Sequence, residues 1–194
     1  MFTGIIKTVA KVKKAEFTGG SLFLTVEKPK PWKIKPGDSI ATDGACLTVK
    51  KVGSGDFTVE LMPETLSKTV FGKKSPHRVN LEQSLKLTDL LDGHLVMGHV
   101  DTVGKISQVE RRGASKVYTM QFPRQFSKLI VSKGAIAVDG ISLTIVDAGK
   151  GWFTVSLVDH TIKNTTLGEK SPGEMVNIEF DILAKYLNRI WRKQ

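Results

Sequence analysis

The chain contains the same pattern twice, about 96 residues apart. Ser39 to Thr48 reads SIATDGACLT and Ala135 to Thr144 reads AIAVDGISLT, with six of ten positions identical at an offset of 96. VNLE at residues 79–82 answers VNIE at 176–179, and GIIKTVAKV from Gly4 answers GHVDTVGKI from Gly98. A repeat of this length has the size of one small domain and is far too long for a solenoid unit. The 194-residue chain is therefore predicted to fold as two similar domains, and differences between the copies indicate different roles.

Within each copy, short apolar runs alternate with turns rich in Gly, Pro and Asp. Runs such as SLFLTVE, CLTVKKV and DFTVELM are typical of small β-barrels or sandwiches. ETLSKTVFG and its counterpart HTIKNTTLG each predict a short helical turn that ends at its glycine. Residues 80–92 fit either a strand or a helix. The linker is expected around residues 90–96, and because it is short and partly apolar, the two domains are predicted to pack together.

The last segment predicts an amphipathic helix. Its apolar residues recur every three or four positions and form one stripe, which consists of Ile182, Leu183, Tyr186, Leu187, Ile190 and Trp191. A helix that follows both repeats has no core of its own. The stripe therefore packs either against the same chain or against another subunit.

Composition excludes several classes of protein. No run of about 18 apolar residues exists, so no membrane span is expected, and the first residues lack the features of a signal peptide. The single cysteine allows no internal disulfide, which favours the cytoplasm. The net charge is +10, but the 29 Lys and Arg are scattered and aromatic residues make up only 7%. A solvated basic surface is a better interpretation than nucleic-acid binding.

One pair of repeat positions differs in chemistry. The residue before the shared Leu-Thr is Cys46 in the first copy and Ser142 in the second. A thiol in one copy thus corresponds to a hydroxyl in the other, at otherwise similar positions. Most free cysteines are simply small buried apolar residues, and that alternative remains open for Cys46.

The histidines are the other chemically informative residues. His99 stands where the first copy has Ile5, and general acid–base work suits an imidazole there. His94 adds a second imidazole near the domain junction, but the spacing fits no common zinc signature. His160 replaces Glu64 and is expected at a ligand edge or on the surface. His77 follows a Ser-Pro turn and is expected to be solvated.

Taken in order, the motifs MFTGI, GACLTV, MPETL, VNLE, DGHLVMGHVD, DGISLTI and VNIE span nearly the whole chain. Together they resemble riboflavin synthase of the alpha type. The resemblance implies two six-stranded Greek-key barrels, at residues 1–93 and 94–181, and a C-terminal oligomerisation helix at 182–194. It also implies a homotrimer, no organic cofactor and no metal, and it raises lumazine synthase as a partner. Neither nucleic acid nor membrane is an expected partner.

The activity that the resemblance implies is the dismutation of two 6,7-dimethyl-8-ribityllumazine molecules. One molecule donates a four-carbon unit to the other, giving riboflavin and a ribitylaminopyrimidinedione. Each barrel would bind one lumazine, and the reacting pair would meet between the N-terminal barrel of one subunit and the C-terminal barrel of another. Holding the two rings face to face would supply much of the rate by proximity.

The resemblance also implies site residues. His99 is expected to transfer the proton, Cys46 and Ser142 are alternatives for nucleophile or polar partner, and Asp139 and Asp181 are expected to orient them. Lumazine contacts carry over in the first barrel to Gly4, Ile5, Ile6, Ser39, Cys46, Leu47, Thr48, Glu60, Leu61, Met62, Pro63, Glu64 and Thr65. In the second barrel they carry over to Gly98, His99, Val100, Ser142, Leu143, Thr144, Val158, Asp159, His160, Thr161, Ile162 and Lys163, with Lys133 reaching a ligand across the trimer interface.

Two residues depart from the family pattern. Met97 stands where a serine is common, and Asp159 where a proline is usual. Both are expected near ligand loops, where they would alter affinity. The rival function is that of a lumazine protein, which shares the fold and binds a lumazine or flavin as a fluorescent antenna without turnover. Such proteins tend to lose the Cys, His and Ser constellation that this chain retains.

Overall fold

In the computed structural model, which describes residues 1–113 and 115–191, twelve β-strands form two closed barrels of six antiparallel strands each. The first barrel consists of β1 (Thr8–Thr18), β2 (Ser21–Glu27), β3 (Ser39–Thr42), β4 (Ala45–Val52), β5 (Asp56–Leu61) and β6 (Arg78–Gln83). The second consists of β7 (Thr102–Arg112), β8 (Ser115–Gln121), β9 (Ala135–Val138), β10 (Ile141–Gly149), β11 (Trp152–Leu157) and β12 (Met175–Phe180). The strand order β1-β2-β5-β4-β3-β6 recurs as β7-β8-β11-β10-β9-β12. The predicted pair of six-stranded barrels is confirmed.

The repeat extends to irregularities in the strand pairing. In the first barrel the register shifts between Val12 and Lys14 in β1 and between Val49 and Lys51 in β4. The second barrel shifts at the equivalent places, in β7 and β10. A β-bulge bends its strand and increases the local twist, which helps a six-stranded sheet to close.

The core of each barrel follows from the alternation along its strands. In β2, Leu22, Leu24 and Val26 are fully buried, whereas Phe23 and Thr25 between them are partly exposed. Burying each such side chain stabilises the fold by about 2 kcal/mol. The core of the second barrel includes the fully buried Tyr118, whose hydroxyl donates a hydrogen bond to the Leu167 carbonyl oxygen at 3.0 Å. The one polar atom of that ring is thereby satisfied.

The two predicted helical turns are confirmed. Helix α1 (Pro63–Lys68) is followed by a 3-10 turn at Val70–Gly72, and α2 (Asp159–Asn164) by a 3-10 turn at Thr166–Glu169. The segment at 80–92, for which strand and helix were both open, continues β6 as far as Gln83 and then runs without regular structure.

The barrels meet at a seam with pseudo-twofold symmetry. The Asn80 side-chain amide donates a hydrogen bond to the Asp139 carbonyl oxygen at 3.0 Å, and the equivalent Asn177 donates to the Asp43 carbonyl oxygen at 2.8 Å. All four residues are buried. Because each barrel satisfies buried polar groups of the other, the predicted packing of the two domains is confirmed.

Helix α3 (Ile182–Trp191) ends the described chain. The Asp181 side chain caps it by accepting a hydrogen bond from the Leu183 amide at 2.9 Å. The apolar stripe is more than 60% exposed at Leu183, Tyr186, Leu187, Ile190 and Trp191. The described residues of the chain leave these five side chains largely uncovered. Residues 192–194 of the predicted helical segment lie outside the described residues. No helix in the described ranges is long and apolar enough to cross a membrane.

Candidate active site

Two segments outside the barrels pair with each other at the seam. We call residues 2–6 the first strap and residues 94–100 the second strap. Phe2 and Val96 form an antiparallel bridge, with the Phe2 amide 2.7 Å from the Val96 carbonyl oxygen and the Val96 amide 3.1 Å from that of Phe2. Both side chains are buried in a small cluster with Ala41 and Ala137. The straps are therefore fixed at the junction of the barrels.

The straps are exchanged between the barrels. The Ser142 amide donates a hydrogen bond to the Gly4 carbonyl oxygen at 2.8 Å, and the Cys46 amide donates to the Gly98 carbonyl oxygen at 2.8 Å. The strap that leads into one barrel thus lies on the other. The resemblance groups Gly4 to Ile6 with the first barrel and Gly98 to Val100 with the second, whereas Gly4, Ile6, Gly98 and Val100 also contact the opposite barrel. Their contacts with a ligand stay predictions. Chain order does not determine which barrel a segment outside the strands contacts.

Glycine is required where each strap touches its barrel. Gly4 has φ +78° and Gly98 has φ +77°, both in the left-handed region. A Cβ on Gly4 would lie 2.6 Å from the Ser142 Cβ, and one on Gly98 would lie 2.5 Å from the Cys46 Cβ. Only glycine permits this close approach without a shift of the backbone.

The first site is a cavity of about 240 Å³ beside Cys46. Strand β4, helix α1 and the second strap form its wall, whose residues are Ala45, Cys46, Glu64, Thr65, Lys68, Thr69, Gly98, His99 and Val100. The structure therefore brings Cys46 and His99 together, although they are 53 positions apart in the sequence. Cys46 is partly exposed and His99 is exposed, so both are accessible to a ligand.

The second site has Ser142 where the first has Cys46. The Ser142 Oγ lies 2.6 Å from His94 Nδ1, and which of the two donates depends on the imidazole tautomer. The His94 amide donates to the Thr3 carbonyl oxygen at 3.1 Å, which fixes the linker over this site. A hydroxyl in such contact with an imidazole is arranged for proton transfer.

Burial lowers the pKa of His94 below its ordinary value of 6.5, and the nearby Asp181 carboxylate partly opposes that shift. The imidazole is therefore neutral at neutral pH. A neutral ring can accept the Ser142 proton, whereas an imidazolium cannot.

The two predicted orienting aspartates have other contacts. Asp139 is fully buried at the seam, where it accepts a hydrogen bond from the Asn177 amide at 2.7 Å and pairs with the Lys170 ammonium at 2.8 Å. These partners belong to the seam, and the orienting role expected of Asp139 stays a prediction. Asp181 caps α3 and acts on His94 through its charge.

Three comparisons identify the relatives of this chain. The family model described as the lumazine binding domain matches twice, at residues 3–84 and 97–181. Riboflavin synthase of Mycobacterium bovis is 40% identical over 198 residues, which cover 99% of this chain and 98% of that protein. The enzyme of that name from Brucella abortus is 38% identical over the full length of both, and the one from Actinobacillus pleuropneumoniae is 39% identical over 100% of this chain and 91% of its own. The chain belongs to the riboflavin synthase family.

Solved structures of similar shape support the same fold. LumP in complex with riboflavin superposes with a TM-score of 0.86 and 20% identity, over 93% of this chain and 99% of that one. LumP in complex with 6,7-dimethyl-8-(1'-D-ribityl) lumazine gives a TM-score of 0.83 at the same identity. At 20% identity this likeness shows the fold alone.

For this member of the riboflavin synthase family, the alternation within strands divides the predicted contact residues. The side chains of Leu47, Leu61 and Leu143 are buried in the barrel cores, so only their backbone groups are available to a ligand, and the predicted contacts at these positions stay predictions. Their neighbours Thr48 and Thr144 are exposed on the outer face, because successive side chains of a strand point to opposite faces.

The outer faces of the two barrels differ in charge. On the first, Lys50 of β4 pairs with Glu60 of β5 at 2.7 Å, and the predicted contact residue Ser39 lies on the neighbouring strand β3, opposite Thr48. The hydrogen bond from Lys50 lowers the pKa of Glu60. The equivalent positions in the second barrel are Val146 and Ser156. At these equivalent positions the first barrel carries an ion pair and the second carries two uncharged residues.

The remaining predicted residues lie at the rims. Residues 62–64 and 158–160 are exposed at the starts of α1 and α2, and the departure Asp159 pairs with Lys163. Ile6 and Ile162 pack partly against the core of the second barrel. Lys133 is exposed in the left-handed region, with φ 69°, and its reach across a subunit interface stays a prediction.

Three residues that touch or hold the sites were missing from the predicted set. His94 contacts Ser142, and Glu82 and Glu179 accept hydrogen bonds from the backbones of the straps. The signals were present, since His94 lies in DGHLVMGH and the two glutamates end the repeated VNLE and VNIE. Within the described ranges, no three His, Cys, Asp or Glu side chains lie close enough together to hold a metal ion.

Proposed function

We propose that this chain catalyses the dismutation of two 6,7-dimethyl-8-ribityllumazine molecules into riboflavin and 5-amino-6-ribitylamino-pyrimidinedione. Membership of the riboflavin synthase family over the full chain supports the activity. The observation that carries the proposal is the presence of two similar sites with different reactive groups, Cys46 with His99 and Ser142 with His94. Two identical substrates with opposite roles, donor and acceptor of four carbons, require such a pair of related but unequal sites.

In this proposal each barrel holds one lumazine against its strap. Two side chains border each ring: Cys46 and His99 in the first site, and Ser142 and His94 in the second. The reaction needs a base for the acidic ring methyl and a nucleophile or water that adds to the other ring. His99 is assigned to proton transfer. Ser142, whose hydroxyl can pass its proton to the neutral His94, is a candidate nucleophile or polar partner, as is Cys46.

The reacting pair is proposed to form between subunits of a homotrimer, with the first site of one chain facing the second site of another. The uncovered apolar face of α3 supports assembly, because Leu187 and Trp191 are 68% and 81% exposed. Lys133 would then contact a ligand bound to the adjacent chain. The single free cysteine favours the cytoplasm, where association with lumazine synthase is a further part of the proposal.

The decisive experiment is incubation of the protein with 6,7-dimethyl-8-ribityllumazine while riboflavin absorbance is followed. We expect one riboflavin for every two lumazines consumed. His99→Ala and Ser142→Ala should each reduce kcat by about 100-fold or more, the usual contribution of a proton-transfer group. Tight binding with enhanced fluorescence and no turnover would instead establish a lumazine carrier and reject the enzyme.

A further inference from the structure

A buried carboxylate holds each strap. Glu82, on β6, is 2% exposed. Its Oε1 accepts hydrogen bonds from the Thr3 amide and the Thr3 hydroxyl, both at 2.7 Å, and its Oε2 accepts one from the Gly4 amide at 3.0 Å. The two oxygens of one carboxylate thus bind two consecutive backbone amides of the first strap.

The second barrel repeats this arrangement. Glu179, on β12, is 3% exposed. Its Oε1 accepts a hydrogen bond from the Met97 amide at 2.7 Å and its Oε2 accepts one from the Gly98 amide at 2.9 Å. Met97 has no hydroxyl, so this carboxylate holds its strap with two hydrogen bonds where Glu82 has three.

A neutral side chain could not replace these carboxylates. Glutamine has one acceptor oxygen and an amide group that donates, so one of the two strap amides would face a donor instead of an acceptor. Burial raises the pKa of both glutamates, while the hydrogen bonds from the straps oppose that shift. Burial of the two carboxylates costs desolvation free energy. Their hydrogen bonds fix the position of two short stretches of backbone.

Each held strap lies against the reactive residue of the opposite barrel. The Gly4 amide donates to Glu82 of the first barrel, and the Gly4 carbonyl oxygen accepts a hydrogen bond from the Ser142 amide of the second. The Gly98 amide donates to Glu179 of the second barrel, and the Gly98 carbonyl oxygen accepts a hydrogen bond from the Cys46 amide of the first. His99 is the next residue after Gly98.

We propose that Glu82 and Glu179 are cross-barrel positioning residues: Glu82 sets the geometry of the second site, and Glu179 sets that of the first site, including His99. The proposal rests on the proposed function for the identity of the ligands. The geometry of the straps can nevertheless be tested without turnover. Damage at either glutamate should appear in the barrel to which that glutamate does not belong.

The test uses one reporter for each site. Cys46 is the only cysteine of the chain, and its rate of alkylation by iodoacetamide reports how closely the second strap covers it. The NMR titration of His94, which touches Ser142 and binds Thr3 through its amide, reports on the second site. Glu82→Gln and Glu179→Gln form a matched pair of nearly equal volume.

We expect Glu179→Gln to raise the Cys46 alkylation rate about tenfold, as loss of a hydrogen bond to a charged group allows, and to leave the His94 titration unchanged. Glu82→Gln should shift the His94 titration and leave Cys46 alkylation unchanged. Circular dichroism and thermal melting establish that each variant is folded. Where a glutamine variant does not fold, the aspartate variant keeps the charge, shortens the reach and should give the same pattern more weakly.

Reporters that respond to the glutamate of their own barrel, or equally to both, in folded protein would overturn the proposal. Activity is measured separately on the same samples. An inactive wild-type protein with the crossed pattern of reporters would reject the proposed function and retain the cross-barrel positioning. An active protein without that pattern would do the reverse.

Discussion

The first and second sites are built on nearly the same barrel, but the segments that follow the barrels differ. After β6 the chain runs on as the linker, and its residues Gly93 and His94 lie over Ser142. After β12 the chain turns at Asp181 into helix α3, which leads away, and Cys46 remains beside an open cavity. The unequal character of the two sites therefore comes from the connections between elements as well as from the Cys46 and Ser142 difference on the barrel strands.

The seam shows a second inequality between the copies. Asp43 and Asp139 occupy equivalent buried turns, and the lysines at the equivalent positions 74 and 170 differ in their contacts. Lys170 pairs with Asp139 and is largely buried, whereas Lys74 is exposed. Burial, and then the charge of Asp139, raise the pKa of Asp43 well above its ordinary value. Lys170 thus forms a direct ion pair with Asp139, and the symmetric backbone carries an asymmetric ion pair.

The largest expected effect tests a feature that the two sites share, the close approach of a strap glycine to the opposite barrel. Gly98→Ala should lower the free energy of unfolding by about 4 kcal/mol, from a left-handed backbone and from overpacking against Cys46. Gly19→Ala is the matched control, because Gly19 has φ +59° and nothing within 4 Å of an added Cβ. It should cost only about 1 kcal/mol. Urea unfolding measures both, and equal losses would contradict the close approach of strap and barrel.

The next effect sharpens the comparison of the two seam aspartates. Asp139→Asn should destabilise the protein by about 3 kcal/mol, because it leaves the Lys170 ammonium without its partner. Asp43→Asn should not destabilise the protein at pH 7. The folded state holds the Asp43 proton more tightly than the unfolded chain does, so ionisation of Asp43 costs stability as the pH rises above 3.8. The asparagine removes that dependence.

Unfolding of both seam variants at pH 4, 6 and 8 separates the alternatives. The difference between wild type and Asp43→Asn should grow in favour of the variant as the pH rises. Equal losses in Asp43→Asn and Asp139→Asn would mean that both carboxylates are ionised, and that the seam is as symmetric in charge as in backbone.

A smaller effect concerns His94, the imidazole that lies within hydrogen-bond distance of Ser142 in the second site. Asp181→Asn removes the charge that favours protonation of His94, so the pKa of His94 should fall further below 6.5. Asparagine caps helices as well as aspartate does, so α3 should remain. Because the folded-state pKa is depressed, His94 costs the fold stability as the pH falls below 6.5.

NMR titration of the histidines measures this change directly. The His94 resonance should move its midpoint to lower pH in Asp181→Asn, while the exposed His77, outside both sites, serves as the internal control. A midpoint that stays in place would show that Asp181 does not act on the second site.

The smallest expected effect concerns the one hydrogen bond by which the two strap contacts differ, from the Thr3 hydroxyl to Glu82. Thr3→Val removes the hydroxyl that donates to Glu82, and should cost about 1 kcal/mol. That loss lowers the melting temperature by about 3 °C in a chain of this size. Met97→Thr supplies a hydroxyl at the equivalent place beside Glu179 and should recover stability by a similar amount. A lower melting temperature in Thr3→Val and a higher one in Met97→Thr would confirm that the two strap contacts differ by this hydrogen bond. Changes in the same direction would contradict it.

Much of the fold could be predicted from the sequence, because the repeat and the alternation of apolar residues both act locally. The pairing of Cys46 with Ser142 as equivalent positions also followed from the repeat. The exchange of the straps did not, since Gly4 and Gly98 carry no mark of the barrel that they touch. Alternation along β4 and β10 places Leu47 and Leu143 in the cores, whereas a family resemblance extends over whole segments and does not distinguish the two faces of a strand.

The contacts of Asp139 and His94 were beyond prediction for a related reason. Both depend on how one half of the chain lies against the other: Asp139 pairs with Lys170 at the seam, and His94 reaches Ser142 along the path of the linker. A pattern of residue types predicts faces and turns, but it does not specify the approach of two domains.

The exchanged straps also bear on how such a chain could have arisen. A single barrel with one strap would leave its own reactive residue uncovered and would carry a strap that fits a neighbour. Two copies placed about the pseudo-twofold axis would complete each other, as the reciprocal contacts of Asn80 and Asn177 still do. The present polypeptide has the architecture of a symmetric dimer whose subunits were duplicated and fused, and the fusion freed each half to specialise while the other completes it.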